Sequence, residues 1–202
     1  MVWAMEDSSW NHNVHHHAAL LRKLPPAPAR ALDIGCGAGD FARRLAERVA
    51  HVDAIDASAE MLRRAQSAGA GLDNVSYIHA SIGSFPLEPA SYDVISLLTV
   101  LHHLPLRETL RLCRDALRPS GVLLVLGWAR SAGPLDLAYD LASIPVEFGL
   151  QRVYGRLRYT APEMDTSLTV AQIAAVMRAE LPGVKVRRHL LWRYMAVWPR
   201  PS

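Results

Sequence analysis

The strongest chemical signal in the sequence is Asp33-Ile34-Gly35-Cys36-Gly37-Ala38-Gly39, in which glycines stand at alternate positions. Glycine tolerates a sharply turned backbone and lets a ligand approach the main chain closely. A helix predicted from Asp40 to about residue 50 offers its amide-rich N-terminus to the same ligand. A dinucleotide-binding loop needs glycine at its first, third and sixth positions, and the sixth position counted from Gly35 is Asp40. A carboxylate there would repel a pyrophosphate, so the pattern disfavours a dinucleotide.

Two acidic residues lie on the next predicted strand, which begins at His51. Asp56 ends this strand about 20 residues after the glycine loop, where an acid can accept hydrogen bonds from both hydroxyls of a ribose. Asp53 lies earlier on the strand, away from the carboxyl end at which ligands bind. We therefore predict that Asp56, and not Asp53, binds a ribose.

An acidic residue followed by alternating glycines resembles the nucleoside-binding loop of the class I S-adenosylmethionine-dependent methyltransferases. The segment Leu98-Thr99-Val100-Leu101-His102-His103-Leu104 resembles the corresponding loop of many small-molecule methyltransferases, including the ubiquinone-biosynthesis-like group. Enzymes that methylate amino groups of nucleic acids or proteins often carry Asn/Asp-Pro-Pro-aromatic at this point, and this sequence does not. The resemblance implies S-adenosylmethionine as cofactor, S-adenosylhomocysteine as product, and a small molecule rather than a nucleic acid as methyl acceptor.

The resemblance also implies a set of cofactor-binding positions. Relatives often carry an aspartate after the third strand to bond the adenine amino group, whereas this chain has Ser81. A hydroxyl can still accept one hydrogen bond, and the main chain of Ile82 can contact the edge of the ring, so we expect looser adenine binding. The expected cofactor-binding residues are Asp33, Gly35, Cys36, Gly37, Gly39, Asp56, Ala57, Met61, Ser81, Ile82 and Leu98.

Histidines are the candidate acid–base groups. A general base is required only if the acceptor is a phenol, an alcohol or a similar protonated group, and His103 or His17 is then predicted to serve. His102 and His103 either line the substrate cleft or bond within their own loop. His17 lies on the apolar stripe of a helix predicted over residues 10–24, where it either faces the cleft or packs as a core histidine.

The same predicted helix carries further histidines. Its apolar stripe comprises Trp10, Val14, His17, Leu21 and Leu24, which leaves His12, His15 and His16 outside. Consecutive histidines on a helix point in three directions, and His12 with His16 would supply only two ligands, so we expect no metal site. The resemblance implies that this helix folds over the cofactor, and the adjoining edge of the sheet is the other apolar surface that it could contact.

Alternating strands and helices predict an α/β domain with a parallel sheet covered on both sides. With the resemblance, this becomes a single Rossmann-like domain over residues 1–202 with seven strands in the order 3-2-1-4-5-7-6, the last strand antiparallel. The alternation breaks over residues 130–166, where only a weak helix from Leu135 to Ile144 is predicted. This segment either forms a substrate lid or is a structural excursion, and we favour the lid because an interruption of this length in a compact fold is usually functional.

Composition sets the remaining expectations. The 202 residues suit one domain, and a net charge of +3 gives little reason to expect a nucleic-acid surface. Two distant cysteines, no leader-like N-terminus and no apolar run of about 20 residues predict a cytoplasmic protein that does not span a membrane. The alternatives are a nicotinamide-dependent oxidoreductase and a non-catalytic cofactor-binding module. The sequence leaves the oligomeric state open.

Overall fold

The computed structural model describes residues 11–154 and 167–202, so Trp10 and residues 155–166 of the predicted lid lie outside the described residues. Seven strands form one sheet in the order β3-β2-β1-β4-β5-β7-β6, which confirms the predicted order. Strands β1 to β5 run parallel, and β7 is antiparallel to both β5 and β6. The strands are β1 Arg30–Ile34, β2 His51–Asp56, β3 Val75–His79, β4 Tyr92–Leu98, β5 Leu117–Gly127, β6 Lys185–His189 and β7 Arg193–Pro199.

Helices cover both faces of this sheet, and side-chain hydrogen bonds cap the starts of two of them. The Ser58 hydroxyl accepts a hydrogen bond from the Met61 amide at 3.3 Å and caps α3. Thr169 and Gln172 form a reciprocal capping box at the start of α6. The helices are α1 His12–Leu21, α2 Asp40–Ala46, α3 Ala59–Ala68, α4 Leu106–Ala116, α5 Pro134–Tyr154 and α6 Val170–Glu180, with a 3-10 turn at Leu101–His103.

Strand β5 shows why the sheet needs both helical layers. Leu123 and Val125 pack into the hydrophobic cluster on one side of the sheet, whereas Leu124 and Leu126 pack into the cluster on the other. Side chains alternate between the two faces along a strand, so an uninterrupted apolar run is buried on both.

Helix α1 turns a different face inward from the predicted one, and it is shorter than residues 10–24. His12 and His16 are buried at 2% and 5% exposure, although both were expected outside the buried stripe. His17 is buried as predicted, and His15 is exposed. Burial lowers the pKa of His12 and His16 to about 4, so both pack as neutral aromatic rings. The prediction was wrong because it counted these histidines as polar.

Helix α5 is much longer than the weak helix predicted from Leu135 to Ile144. Pro145 removes one helical N–H, a change that commonly ends or kinks a helix. The helix continues to Tyr154, and its polar side is anchored on either side of the proline. Asp140 accepts a hydrogen bond from Arg188 at 2.9 Å, and Glu147 lies 3.5 Å from His12. Within residues 11–154 and 167–202, no helix combines the length and the apolar character needed to cross a bilayer.

Candidate active site

The glycine loop joins β1 to α2 at the carboxyl edge of the sheet. Gly35, Gly37 and Gly39 have φ angles of +69°, +55° and +77°, all in the left-handed region that glycine adopts without strain. The amides of Gly35 and Cys36 both donate to the Ile55 carbonyl, at 2.8 and 3.0 Å. The alternating glycines therefore permit a backbone that winds tightly against the end of β2.

Asp56 is bound to this loop. One carboxylate oxygen accepts the amide hydrogen of Gly37 at 2.8 Å, and the other accepts that of Ser58 at 2.8 Å. The side chain is only partly buried, at the carboxyl end of β2. In a parallel sheet this is the edge at which ligands bind. Asp56 thus lies at the carboxyl edge of the sheet, the position from which the sequence predicts that it binds a ribose.

The loop also meets the elements that follow the neighbouring strands. A Cβ added at Gly35 would lie 2.5 Å from a methyl carbon of Val100, just beyond β4. A Cβ added at Gly37 would lie 3.5 Å from the terminal methyl of Met61, on α3. The structure therefore brings together three predicted cofactor positions, namely Gly35, Gly37 and Met61, with the loop after β4.

Burial raises the pKa values of two predicted cofactor-binding residues, Asp33 and Cys36. Asp33 is 2% exposed, and its carboxyl group accepts a hydrogen bond from the Ser96 hydroxyl at 2.6 Å. Burial raises the pKa of Asp33 to about 7, with a smaller contribution from the nearby Asp56 carboxylate. Burial also raises the pKa of the Cys36 thiol far above its usual value, so this thiol is not reactive at neutral pH.

The other predicted cofactor residues follow β2, β3 and β4 at the same edge. Ala57 is exposed and its carbonyl lies 2.9 Å from the His79 imidazole. The Ser81 hydroxyl is exposed and lies 3.0 Å from that of Ser84. Ile82 is 8% exposed and packs in the core, and Leu98 is partly buried at the end of β4. Their contacts with a cofactor remain predictions.

The two candidate bases lie in different surroundings. His103 is exposed in the 3-10 turn after β4, with its ring centre 4.0 Å from that of His102. Burial lowers the pKa of His102 to about 4. His17 is 2% exposed, its ring centre lies 4.9 Å from that of Phe41, and burial lowers its pKa to about 3. In this conformation His17 packs between helices α1 and α2, and a catalytic role for either residue remains a prediction.

A polar network at the same edge was missed by the sequence analysis. The Asn13 side chain donates to the Thr99 hydroxyl at 3.0 Å and accepts from the Arg193 guanidinium at 3.0 Å. Arg193 is 2% exposed and its guanidinium lies 4.1 Å from the ring centre of Trp128. Thr99 has a φ of +54°, which is uncommon for a β-branched residue. No sequence pattern links Asn13 with Arg193, because 180 positions separate them.

The carboxyl edge of the sheet thus combines a glycine loop, an acidic side chain and a short helical turn. Comparison with known proteins identifies the family of the chain. A methyltransferase-domain profile matches residues 31–121. An uncharacterized methyltransferase of Mycobacterium tuberculosis is 32% identical over 96% of this chain and 99% of its own length. The chain belongs to the class I S-adenosylmethionine-dependent methyltransferases. This methyltransferase therefore uses S-adenosylmethionine, and the oxidoreductase and non-catalytic alternatives are set aside.

Two further proteins resemble this methyltransferase, one in sequence and one in fold. The ubiquinone biosynthesis O-methyltransferase of Xylella fastidiosa is 29% identical over 87% of this chain and 70% of its own length. The N-methyltransferase NodS of Bradyrhizobium japonicum is 18% identical and superposes with a TM-score of 0.61, covering 94% of this chain and 96% of its own. At that identity the second likeness concerns the fold alone.

Proposed function

We propose that the methyltransferase transfers the methyl group of S-adenosylmethionine to a small-molecule acceptor bound beside the loop that follows β4. The observation that carries this proposal is the tight junction of Gly35 with Val100, which joins the cofactor loop to the loop bearing His103. The sulfonium of the cofactor supplies an electrophilic methyl group. The chain must then mainly hold the two reactants in line and exclude water.

The cofactor is proposed to bind along the carboxyl edge of β1, β2, β3 and β4. The loop fits such a ligand because Gly37 is only partly buried, and among the residues that the structure describes a Cβ there would approach only the terminal methyl of Met61. Asp56 is proposed to accept hydrogen bonds from the ribose hydroxyls, and Ser81 with Ile82 to contact adenine. The remaining proposed contacts come from Asp33, Gly35, Cys36, Gly37, Gly39, Ala57, Met61 and Leu98.

His103 is our candidate for the residue that accepts a proton from the acceptor. It is exposed, and it lies in the turn that directly follows Val100, the residue that packs against Gly35 of the glycine loop. Its partner His102 stays neutral at physiological pH because burial lowers its pKa. His17 could take this part only if α1 moved away from Phe41, so it is the second candidate.

The acceptor is proposed to be a small molecule and not a nucleic acid. The name of the Xylella fastidiosa relative refers to an O-methyltransferase of ubiquinone biosynthesis, which favours an acceptor of modest size. Oxygen, nitrogen and carbon nucleophiles all remain compatible with this proposal. We retain residues 130–166 as a proposed substrate lid within a single domain, and a cytoplasmic location, which the free thiols of Cys36 and Cys113 support.

A methyl-transfer screen with labelled S-adenosylmethionine tests the proposal. Purified protein is incubated with fractionated metabolite extracts, and label is followed separately in the small-molecule, protein and nucleic-acid fractions. We expect label in the small-molecule fraction. His103→Ala should lower the rate with an unchanged cofactor dissociation constant, whereas the matched variant His15→Ala, on the exposed side of α1, should not. Label confined to protein or nucleic acid would overturn the proposal.

A further inference from the structure

Helix α5 has its polar side turned toward the protein and its apolar side toward solvent. Ser143 is fully buried, and its hydroxyl accepts the Leu191 amide hydrogen at 2.8 Å. Asp140 pairs with Arg188, and Glu147 lies beside His12. Six large exposed apolar residues lie on two other flanks of the helix, Leu137, Leu141, Ile144 and Phe148 on one and Leu135 and Val153 on another.

This inversion is unusual for a helix on a protein surface. Surface helices normally bury the apolar stripe and expose the polar one. Four of the large side chains on α5 are 56–61% exposed, namely Leu137, Leu141, Ile144 and Phe148. Contiguous apolar surface of this kind commonly marks an interaction site.

The spacing of these four residues indicates what kind of surface they fit. They follow one another at intervals of four, three and four residues, the a/d spacing that packs one helix against another. At 100° per residue they fall within a narrow arc, which we call the α5 seam. Leu135 and Val153, also exposed, lie well away from it around the helix.

The α5 seam is also symmetric along the chain. Its four positions are arranged evenly about the bond between Ala142 and Ser143. If a second α5 is laid antiparallel across this point, Leu141 of one copy meets Ile144 of the other, and Leu137 meets Phe148. A two-fold interface requires exactly such a self-complementary surface, in which residue i meets j and j meets i.

The charges on α5 favour a protein partner over a lipid surface. Helices that adsorb to membranes are typically rich in lysine and arginine on their polar face. Helix α5 carries three carboxylates, those of Asp136, Asp140 and Glu147, against the single cation of Arg152. We propose that the methyltransferase forms a two-fold dimer in which the α5 seams of two copies pack antiparallel.

Sedimentation equilibrium of the full chain over a wide concentration range tests this proposal. We expect a reversible dimer whose dissociation constant rises about 30-fold or more in Leu141→Glu, the loss expected for a central interface residue. The matched control Leu135→Glu places the same charge on an exposed leucine outside the seam and should leave the dimer intact. Because both leucines are exposed, both variants should keep the melting temperature of the dissociated chain.

Cysteine cross-linking tests the register independently. Leu141→Cys and Ile144→Cys are prepared singly and then mixed under mild oxidation, with the native thiols of Cys36 and Cys113 buried. The antiparallel seam predicts a disulfide-linked dimer in the mixture and little in either variant alone. The proposal is overturned by a chain that stays monomeric at all concentrations, with or without adsorption to lipid vesicles. A dimer that Leu141→Glu does not weaken also overturns it.

Discussion

Strand β2 carries one aspartate near each end, and the two side chains are used in different ways. Asp53, toward the amino end, is 4% exposed. It is surrounded by side chains: Arg30 donates to it at 2.9 Å, Tyr92 donates its hydroxyl at 3.0 Å, and His51 lies at 3.3 Å. Asp56, at the carboxyl end, is partly exposed and accepts hydrogen bonds from two backbone amides.

The difference follows from the direction of the parallel strands. At the amino edge, Arg30 and Tyr92 open strands β1 and β4 and converge on Asp53. At the carboxyl edge, Asp56 accepts one amide hydrogen from the loop after β1, that of Gly37, and one from the turn after β2, that of Ser58. A carboxylate has about four acceptor sites, so Asp56 can accept further hydrogen bonds from a ligand. Asp53 belongs to the packing of the sheet, and Asp56 to the proposed cofactor site.

The largest expected effect concerns Asp33, a third aspartate that shares the carboxyl edge with Asp56. Burial raises its pKa from 3.8 to about 7, so between these values the unfolded chain has lost a proton that the folded chain keeps. Folding stability from this group therefore falls as pH rises from about 4 to 7. Asp33→Asn removes this titration, so its unfolding free energy relative to wild type should rise by on the order of 4 kcal/mol across the window.

Urea unfolding at a series of pH values measures this difference. Ser96→Ala keeps the carboxyl group and removes its hydrogen-bond donor, so that variant should still show the fall in stability toward neutral pH. A difference between Asp33→Asn and wild type that does not change with pH would contradict the prediction.

The next effect concerns the amino edge. Asp53→Ala leaves the buried Tyr92 hydroxyl and the Arg30 guanidinium without their shared acceptor. Breaking a buried ion pair costs about 3–5 kcal/mol. The Arg30 side chain is 44% exposed and can regain water, so we expect a loss of only about 2–3 kcal/mol in unfolding free energy. Urea unfolding measures the loss, and calorimetry should find the cofactor affinity of the folded protein unchanged. Weaker cofactor binding at full stability would refute the division between the two ends of β2.

Asp56→Ala should have the opposite profile. We expect S-adenosylhomocysteine binding to weaken by about 1.5–3 kcal/mol, because hydrogen bonds to a charged group are lost. Unfolding free energy should change by less than about 1 kcal/mol, since the side chain is partly exposed and its partners can bond water. Titration calorimetry measures the affinity, and Asp56→Asn, which keeps one acceptor oxygen, should show a smaller loss. Equal binding by wild type and Asp56→Ala would remove Asp56 from the proposed site.

The smallest expected effect separates the members of the Asp53 cluster. Tyr92→Phe removes one hydrogen bond to Asp53 and keeps the aromatic ring over which the Arg30 guanidinium lies. We expect a loss of about 1 kcal/mol in urea unfolding. A loss as large as that of Asp53→Ala would mean that the hydroxyl, and not the ion pair, holds this edge together.

The alternation of strands and helices could be predicted because its determinants are local, whereas the order of the strands came from the family resemblance. The glycines at positions 35, 37 and 39 permit a left-handed backbone, and the structure has it at all three. The capping residues Ser58 and Thr169 likewise act within one helical turn. Helix α5 was underestimated because the contacts that hold its polar side, from Arg188 and His12, come from distant parts of the chain.

The candidate site divides in the same way. The sequence by itself determined the glycine loop, the choice of Asp56 at the end of β2 and the position of His103 after β4, since each follows from residue type and place on a strand. Only the tertiary structure decided that His12 and His16 are buried, that Asn13 joins Thr99 to Arg193, and that α5 exposes its apolar side. These depend on packing between segments far apart in sequence, where burial changes the pKa of a histidine and sets which face of a helix meets solvent.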